Sequence, residues 1–421
     1  MERTAPSLTR PKAGTGRGAA RYVGIDLARF LAVLGMMANH LVAVSEMDPT
    51  ASELNQRAGE IATTLTSGIA AALFAVLGGI SAVFASRRAL SAGRPGAAIA
   101  SIMLRGVILI VLGLALGALD VPIIVVLSYY GVAMILVAVF IVAPSWLIGV
   151  AAGALWLGGG FVNATARSAL DIVEEAGSPS FESVADAPFE TLRGMILTGV
   201  YPAITWVAYL LVGILIARAL LAANARGTLG RSALGLAAFG ALLATAATLI
   251  SNWTLANLAR FGVSAPDGLD MATFVEYLGM QQFGSPNSPE LWSQLIAAPH
   301  SGSPAEMLRT VGIALAVIGL LVTLFDTHDR GPSRFTDVFR AAGAAPLTIY
   351  TLHLLATALV YAPLYAGVEM PDGANWWVAG LGAFGLQLAG VLVIGVILSV
   401  TGKRGPLEAL TSGIVRTLTR T

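Results

Sequence analysis

The sequence predicts an all-α, polytopic integral membrane protein with about ten transmembrane helices and with both termini in the cytoplasm. Composition is the first observation: 56% of the 421 residues are hydrophobic, 12% are charged, and the mean hydropathy is +0.78. The second is a series of apolar runs of about twenty residues, the length that crosses a bilayer core of about 30 Å. The third is the segregation of Lys and Arg to alternate connections between these runs.

The predicted spans are separated by short connections, except at two long loops. The spans are residues 23–45, 61–85, 98–118, 121–142, 146–163, 194–217, 232–252, 307–325, 343–365 and 376–400. The long loops, 164–193 and 253–306, fall on the outer side of the membrane. Loops of this length are usually functional or disordered.

Orientation and domain limits follow from the placement of charge. With the N-terminus in the cytoplasm, the basic clusters fall on the inner side. Residues 1–20 are predicted to be a disordered cytoplasmic tail, 21–402 the transmembrane domain, and 403–421 a basic cytoplasmic C-terminal segment. We expect a multi-pass protein of a bacterial inner (plasma) membrane. The net charge of +1 gives no reason to expect nucleic acid as a partner, and the absence of cysteine excludes disulfides and thiolate metal ligands, so we expect no metal site.

The first span carries four polar side chains that a bilayer disfavours: Asp26, Arg29, Asn39 and His40. His40 follows Arg29 by eleven positions, which places both on one face of a helix, about 16 Å apart. Asp26 is close enough to pair with Arg29. A structural ion pair with a hydrogen-bonded histidine would explain the pattern, but we favour a functional one. His40 would then be a general base, Arg29 would bind an anion, and a polar track in one shared cavity would join them.

Further arginines follow the second span. Arg87 and Arg88 could anchor the helix end at the inner surface, and for Arg94 this interpretation is strong. Arg105 lies about two turns inside the third span, so we expect it to face the interior and to join Arg29 in a cytoplasmic anion pocket.

Aromatic and histidine residues in later segments are candidates for a substrate site. Tyr201 and Trp206 fit an interfacial aromatic belt as well as they fit a site lining. His300 lies just outside the eighth span, on the same side as His40, although an ordinary loop histidine is the commoner case. Tyr350 and His353 are one turn apart in the ninth span, where a hydrogen bond between helices competes with a role in the site.

Several segments together resemble one transmembrane acyltransferase superfamily. The Arg29–His40 spacing resembles the R-x10-H signature of the acyltransferase-3 family, and FAVLGGISAVFASRR resembles its second span. YPAITWVAYLLVGILIAR is similar to a segment of heparan-alpha-glucosaminide N-acetyltransferase-like proteins. HSGSPAEMLRTVGIAL and GAAPLTIYTLHLL resemble later segments of YeiB-like bacterial membrane proteins.

The resemblance implies a ten-helix bundle that moves an acyl group, most simply acetyl, from cytoplasmic acyl-CoA to a sugar or lipid-linked acceptor at the outer face. Arg29 and His40 are the matched positions, with Asp26 orienting Arg29. Acyl-CoA would be a co-substrate, not a permanently bound cofactor. Two sets of side chains would serve the substrates. The CoA phosphates would contact Arg29, Arg87, Arg88 and Arg105, and the acceptor would contact Asn39, Tyr201, Trp206, Tyr350 and His353.

The sequence departs from the heparan-acetylating branch at one point. There the working histidine lies in the outer loop after the first span, and the corresponding loop here, VSEMDPTASELNQRAGE, contains none. Either His40 does the work, or His300 substitutes for it.

Two other functions remain open from the sequence. A transporter or flippase for a small anion or lipid-linked metabolite could line its path with the same charges, although the internal repeats common in transporters are not evident. A non-catalytic role in cell-envelope assembly is the third option. Partners would be membrane lipid and a sugar or glycolipid acceptor, and a homodimer is an alternative to a monomer.

Overall fold

The computed structural model of the protein describes residues 22–173, 175, 177–327, 332–365 and 374–419. The predicted disordered tail therefore lies outside the described residues. In that part of the chain the secondary structure is helical, without β-strands. The helices of the first half are α1 Val23–Leu41, α2 Glu53–Thr66, α3 Ile69–Ser91, α4 Pro95–Leu116, α5 Leu127–Val137, α6 Ser145–Ala169, α7 Phe181–Asp186, α8 Pro188–Arg193 and α9 Ala203–Ala225. Those of the second half are α10 Leu229–Ala256, α11 Met271–Gly279, α12 Leu291–Gln294, α13 Pro304–Asp326, α14 Arg334–Gly343, α15 Pro346–Tyr365, α16 Gly380–Thr401 and α17 Pro406–Thr419.

The polytopic helical architecture predicted from the sequence is confirmed. Nine helical segments among the described residues are long and apolar enough to cross a membrane, and they correspond to nine of the ten predicted spans. They are formed by α1, α2 with α3, α4, α6, α9, α10, α13, α15 and α16.

The fourth predicted span, residues 121–142, is shorter than expected. Its helical part is Leu127–Val142, where α5 continues into a 3-10 turn. Pro122 has no backbone N–H for a helix, and residues 121–126 are not helical. Side chains satisfy the backbone instead, because Val125 N–H donates to Ser178 Oγ at 2.8 Å and Val126 N–H donates to Tyr350 Oη at 3.3 Å.

The predicted span 194–217 also begins too early. Residues 194–198 form a separate π-helical turn, and Pro202 is the N-cap of α9. Pro202 disfavours helical geometry in the residue before it, which explains the break between this π-helical turn and α9. Both of the long connections predicted from the sequence contain short helices: α7 and α8 in the first, α11 and α12 in the second.

The centre of the bundle contains a close contact between α3 and α9. A β-carbon at Gly79 would collide with the carbonyl of Leu210, and one at Gly213 would collide with the carbonyl of Val76. The two backbones therefore approach each other through glycine, as helices in membranes often do. This contact fixes α3, which reaches both cavities described below, against α9.

Two carboxylates join helices end to end where α1 and α15 begin. Asp326, at the end of α13, accepts hydrogen bonds from the N–H groups of Val23 and Gly24 at 2.7 and 2.8 Å, and so caps α1. Glu408, on α17, accepts from the N–H groups of Leu347 and Thr348 at 2.7 and 3.1 Å, and so caps α15. The C-terminal helix thus packs on the bundle.

Candidate active site

A cavity of about 320 Å³ lies beside Arg29 and Arg105; we call it the arginine cavity. Helices α1, α3, α4, α5, α15 and α17 contribute to its wall. Its lining comprises Arg29, Phe74, Gly78, Ser81, Ala82, Phe84, Ala85, Arg105, Leu109, Leu127, Tyr130, Met134, Ala344, Pro346, Leu347, Glu408, Thr411 and Ser412. The structure therefore brings together the two arginines that the sequence predicted to share a pocket.

Arg29 is held at the cavity by a buried carboxylate. Its Nη1 lies 2.5 Å from Oδ1 of Asp26, whose side chain is 5% exposed. Arg340, on α14, lies 3.8 Å from the other oxygen of Asp26 and pairs with Asp337 at 2.5 Å. Asp26 thus lies between two guanidinium groups. Arg340 was missed in the sequence because it reads as an ordinary basic residue of an inner loop.

The two arginines of the cavity keep unused donors. The Nε atoms of Arg29 and Arg105 are buried and have no hydrogen-bond partner among the residues that the structure describes. Buried polar groups are normally paired, and a guanidinium suits phosphate or carboxylate oxygens. The arginine cavity can therefore accept an anionic group.

Arg87 and Arg88 are placed differently from Arg29 and Arg105. Both are exposed near the end of α3, and neither lines the arginine cavity. Their predicted contact with CoA phosphates thus has no support from the position of the cavity.

A second cavity system contains His40 and His300; we call it the histidine cavity. It consists of two adjoining narrow spaces, each with a cavity volume of about 20 Å³, that share Ala71, Tyr201 and His300. The first space is lined by Met36, Asn39, His40, Thr66, Ala70, Ala71, Ile124, Val126, Tyr201, His300 and Tyr350. The second is lined by Gly68, Ala71, Ala72, Val200, Tyr201, Pro202, Thr205, Trp206, Tyr209, Gly284, His300, Gly302 and Glu306. Every predicted acceptor-site residue except His353 lines this system.

His353 lies behind His40 rather than in the cavity wall. Nδ1 of His40 is 3.0 Å from Nε2 of His353, and Nδ1 of His353 is 2.6 Å from Oε1 of Gln387. The ring centroids are 5.3 Å apart and the ring planes differ by 4°, so the rings meet edge to edge, as an N–H pointing at a nitrogen lone pair requires. His353 therefore contacts His40 and does not line the cavity in which a substrate would bind.

His300 has a different bonding state. The N–H of Gly68 donates to its Nε2 at 3.2 Å, so the basic lone pair of the neutral ring is already engaged. Burial lowers the pKa of His300 to about 4, which leaves the ring neutral at physiological pH. The ring packs edge-on against Tyr201 at 5.4 Å. Because its Nε2 lone pair already accepts a hydrogen bond, His300 is less suited than His40 to accept a proton.

Glu306 is a buried acid in the histidine cavity that was not singled out from the sequence. It lies in the first turn of α13 and is 2% exposed. Tyr209 Oη donates to its Oε2 at 3.0 Å and lies 2.9 Å from Thr310 Oγ1. An ionisable residue within an apolar span was the available signal, but the neighbouring HSGSP turn made it resemble a loop residue.

Aromatic rings separate the two cavities. Tyr130 and Phe74 line the arginine cavity, with centroids 5.6 Å apart, and Trp206 and Tyr201 line the histidine cavity, 5.4 Å apart. Tyr130 contacts Trp206 across the boundary at 6.2 Å. We call these four rings the aromatic barrier. Arg29 and His40 therefore line different cavities, and the expected polar track in one shared cavity is not present.

The barrier depends on a local feature of α3. A β-carbon at Gly78 would overlap the phenol oxygen of Tyr130, so only glycine lets this ring lie against the helix backbone. This contact could not be predicted from the sequence, because it joins residues far apart in the chain.

The fold and the two cavities define a multi-pass helical membrane protein with a cationic chamber and a histidine-containing chamber on either side of an aromatic barrier. The family model described as "Heparan-alpha-glucosaminide N-acetyltransferase, catalytic" matches residues 21–256, more than half of the chain. The protein belongs to this family, and membership implies transferase activity, that of a membrane acetyltransferase. No curated protein matches the chain.

The matched region contains part of the candidate site. Asp26, Arg29, His40 and Arg105 lie within it, and so does the whole aromatic barrier. Glu306, His353 and Gln387 belong to the part of the chain beyond the match. The candidate base, His40, is therefore inside the matched region. His353, which bonds to Nδ1 of His40, and Gln387, which bonds to His353, are outside it.

Proposed function

We propose that the protein transfers an acetyl group from acetyl-CoA, bound with its anionic portion in the arginine cavity, to a hydroxyl or amine of a sugar or lipid-linked acceptor in the histidine cavity. The observation that carries this proposal is the pairing of two chambers with complementary chemistry inside one family member. One chamber offers two guanidinium Nε donors that lack a partner among the described residues, and the other offers His40.

The donor side is supported by the charge and the lining of the arginine cavity. CoA carries phosphates, and the arginine cavity has two cationic side chains with buried, unused Nε donors. Its largely apolar remaining wall, including Leu109, Leu127 and Met134, suits the pantetheine arm of the same molecule. The charge distribution of the loops supports an opening of this cavity toward the cytoplasm, where acyl-CoA is made.

The acceptor side is supported by aromatic and polar groups. Tyr201 and Trp206 offer ring faces against which a sugar can pack, and Asn39, Tyr350 and Glu306 offer polar contacts. Tyr350 Oη already accepts a hydrogen bond from Val126 N–H, so its own O–H is available to donate.

The reaction needs one proton to move. As the acceptor oxygen or nitrogen attacks the thioester carbonyl, His40 takes the proton of that O–H or N–H. The bond between the carbonyl carbon and sulfur breaks, and the sulfur leaves as thiolate. His40 then returns the proton to the sulfur, so the products are the acetylated acceptor and CoA thiol.

Transfer also requires the acetyl end of the donor to reach the acceptor past the aromatic barrier. The barrier consists of side chains, whose rotamers can change without movement of the helices. We infer that Tyr130 and Trp206 move apart when the pantetheine arm enters, and that they otherwise keep the thioester from water and from the outer face.

The test uses the purified full-length chain in detergent with acetyl-CoA and a panel of amino sugars, neutral sugars and glycolipids, and measures release of CoA thiol. We expect acceptor-dependent release, lowered in Arg105→Gln through weaker binding of acetyl-CoA. Arg231→Gln is the matched control, because Arg231 is an exposed arginine on α10 that lines neither cavity. Movement of a small anion or lipid-linked metabolite across the membrane of proteoliposomes that contain no acyl-CoA would instead support a transporter.

A further inference from the structure

Gln387 is the one amide in α16, and no charged residue or histidine accompanies it in that span. A polar side chain in the middle of an apolar span is costly to insert and usually has a defined partner. Here the partner is His353, which in turn contacts His40. The question is whether this chain of contacts only joins helices or also determines the protonation of His40.

The hydrogen bonds of Thr357 determine which way the Gln387 amide points. Thr357 Oγ1 donates its single hydrogen to the carbonyl of His353 at 2.9 Å. It can therefore only accept from Gln387, whose Nε2 lies 3.3 Å away. The amide oxygen, Oε1, is then the atom directed at Nδ1 of His353, at 2.6 Å.

The orientation of the Gln387 amide determines which ring nitrogen of His353 carries a hydrogen, and His353 in turn determines this for His40. Because Oε1 of Gln387 can only accept, Nδ1 of His353 carries the hydrogen, and Nε2 of the neutral ring has the lone pair. The contact of 3.0 Å between that Nε2 and Nδ1 of His40 then requires a hydrogen on Nδ1 of His40. In neutral His40 the remaining nitrogen, Nε2, is unprotonated, and it has no hydrogen-bond partner within the described part of the chain.

We propose that Gln387, Thr357 and His353 are positioning residues that hold His40 in the Nδ1–H tautomer, with Nε2 as the free base of the site. The bonding argument stands on the geometry alone, and only its catalytic consequence rests on the proposed function. When Nε2 takes the acceptor proton, the Nδ1–H of the resulting imidazolium remains bonded to His353, which disperses the positive charge. The same Nε2 later releases that proton to the thiolate.

The direct test is NMR of the full-length protein labelled with 13C and 15N in histidine, where ring shifts distinguish the two neutral tautomers. The chain has only four histidines, so the His40 signals can be assigned by their loss in His40→Gln. We expect the Nδ1–H tautomer for His40 in the wild type. An Nε2–H tautomer there would overturn the proposal.

A matched pair of substitutions separates positioning from packing. Thr357→Val is nearly isosteric but removes the hydroxyl that orients the amide, whereas Thr357→Ser keeps it. We expect a mixture of His40 tautomers in Thr357→Val and in Gln387→Leu, and the wild-type tautomer in Thr357→Ser. Unchanged His40 signals in both Thr357→Val and Gln387→Leu would show that the contacts serve packing alone.

Kinetics then separate this inference from the proposed function. If acetyl transfer occurs, Thr357→Val should lower kcat, by about tenfold where about a tenth of His40 keeps Nε2 unprotonated, because only that tautomer can act as the general base. KM for acetyl-CoA should stay the same, and Thr357→Ser should recover kcat. If no acetyl transfer is found, the proposed function fails while the NMR result still decides the tautomer.

Discussion

His40 and His300 share a cavity but offer different nitrogen chemistry. His40 uses Nδ1 toward His353 and leaves Nε2 unbonded within the described residues, whereas Nε2 of His300 accepts the N–H of Gly68. Of the two alternatives that the sequence left open, the geometry supports His40 as the base. His300 is better suited to packing against Tyr201 and to closing the loop between α12 and α13.

This difference leads to a prediction for activity. His40→Gln should lower kcat by about 10²–10⁴-fold, the usual contribution of a general base, with KM for acetyl-CoA nearly unchanged. His300→Gln should have a smaller effect on kcat. Steady-state release of CoA thiol measures both, and a larger loss in His300→Gln than in His40→Gln would reverse the assignment.

A second prediction at this scale concerns pH and stability. The pKa of His300 is about 4 in the fold against 6.5 for the free side chain, so the unfolded state binds the proton more readily. The contribution of the neutral ring is complete above about pH 6.5 and is lost as the pH falls toward about 4. Lowering the pH from about 7 to about 4.5 should reduce the apparent unfolding temperature more in the wild type than in His300→Gln. Thermal unfolding followed by tryptophan fluorescence tests this, and parallel curves for the two proteins would contradict it.

The residues of the candidate site could be named from the sequence to a useful extent, because ionisable groups in apolar spans are conspicuous. Asn39, Arg105, Tyr201 and Tyr350 all line one of the two cavities. Gln387 and Glu306 were missed. An uncharged amide gives a weak signal, and an acid beside a turn resembles a loop residue, so only their contacts distinguish them.

Among the elements, the helices with long uniform apolar runs were predicted well and the interrupted ones were not. α4, α10 and α13 agree with their predicted spans because nothing in their interior opposes a helix. Pro202 and Pro122 mark two of the disagreements. The third lies in the predicted span 61–85, where α2 ends at Thr66 and α3 begins at Ile69, with Gly68 between them at φ +73°. The sequence shows that a proline is present, but the outcome depends on side-chain partners such as Ser178, which only the fold brings near.

The contact between α3 and α9 gives a prediction for stability. Gly213→Val should destabilise the protein by about 1–3 kcal/mol, because the side chain must displace the carbonyl of Val76. Gly235→Val is the matched control, since a β-carbon at this glycine of α10 meets nothing within 4 Å. Apparent melting temperatures in one detergent compare the two. Equal melting temperatures would mean that the helices are not held by this contact.

For the whole molecule, the main consequence is the division into two chambers. The sequence predicts Arg29 and His40 on one face of one helix, and α1 contains both residues without a break. What the stripe could not reveal is that rings from α3, α5, α9 and the segment before α9 close the space between them. A separating wall built from four parts of the chain has no local signature.

The aromatic barrier leads to a prediction about water. Tyr130→Leu should raise acceptor-independent hydrolysis of acetyl-CoA, because a smaller side chain opens a route between the chambers. Phe161→Leu, at a ring of α6 that is 50% exposed, is the control. Thiol release without acceptor is the measurement, and equal rates for wild type and both variants would show that the four rings do not act as a seal.

The central claim is that donor and acceptor chemistry are divided between the arginine and histidine cavities. The most direct measurement is the pair of steady-state constants for acetyl transfer in Arg105→Gln and His40→Gln. We predict that Arg105→Gln raises KM for acetyl-CoA by about tenfold or more, the value of a lost charged hydrogen bond, and leaves kcat nearly unchanged. We predict that His40→Gln lowers kcat and leaves KM for acetyl-CoA nearly unchanged. Absence of any acetyl-CoA-dependent transfer in the wild type, or a loss of kcat alone in both variants, would contradict the account.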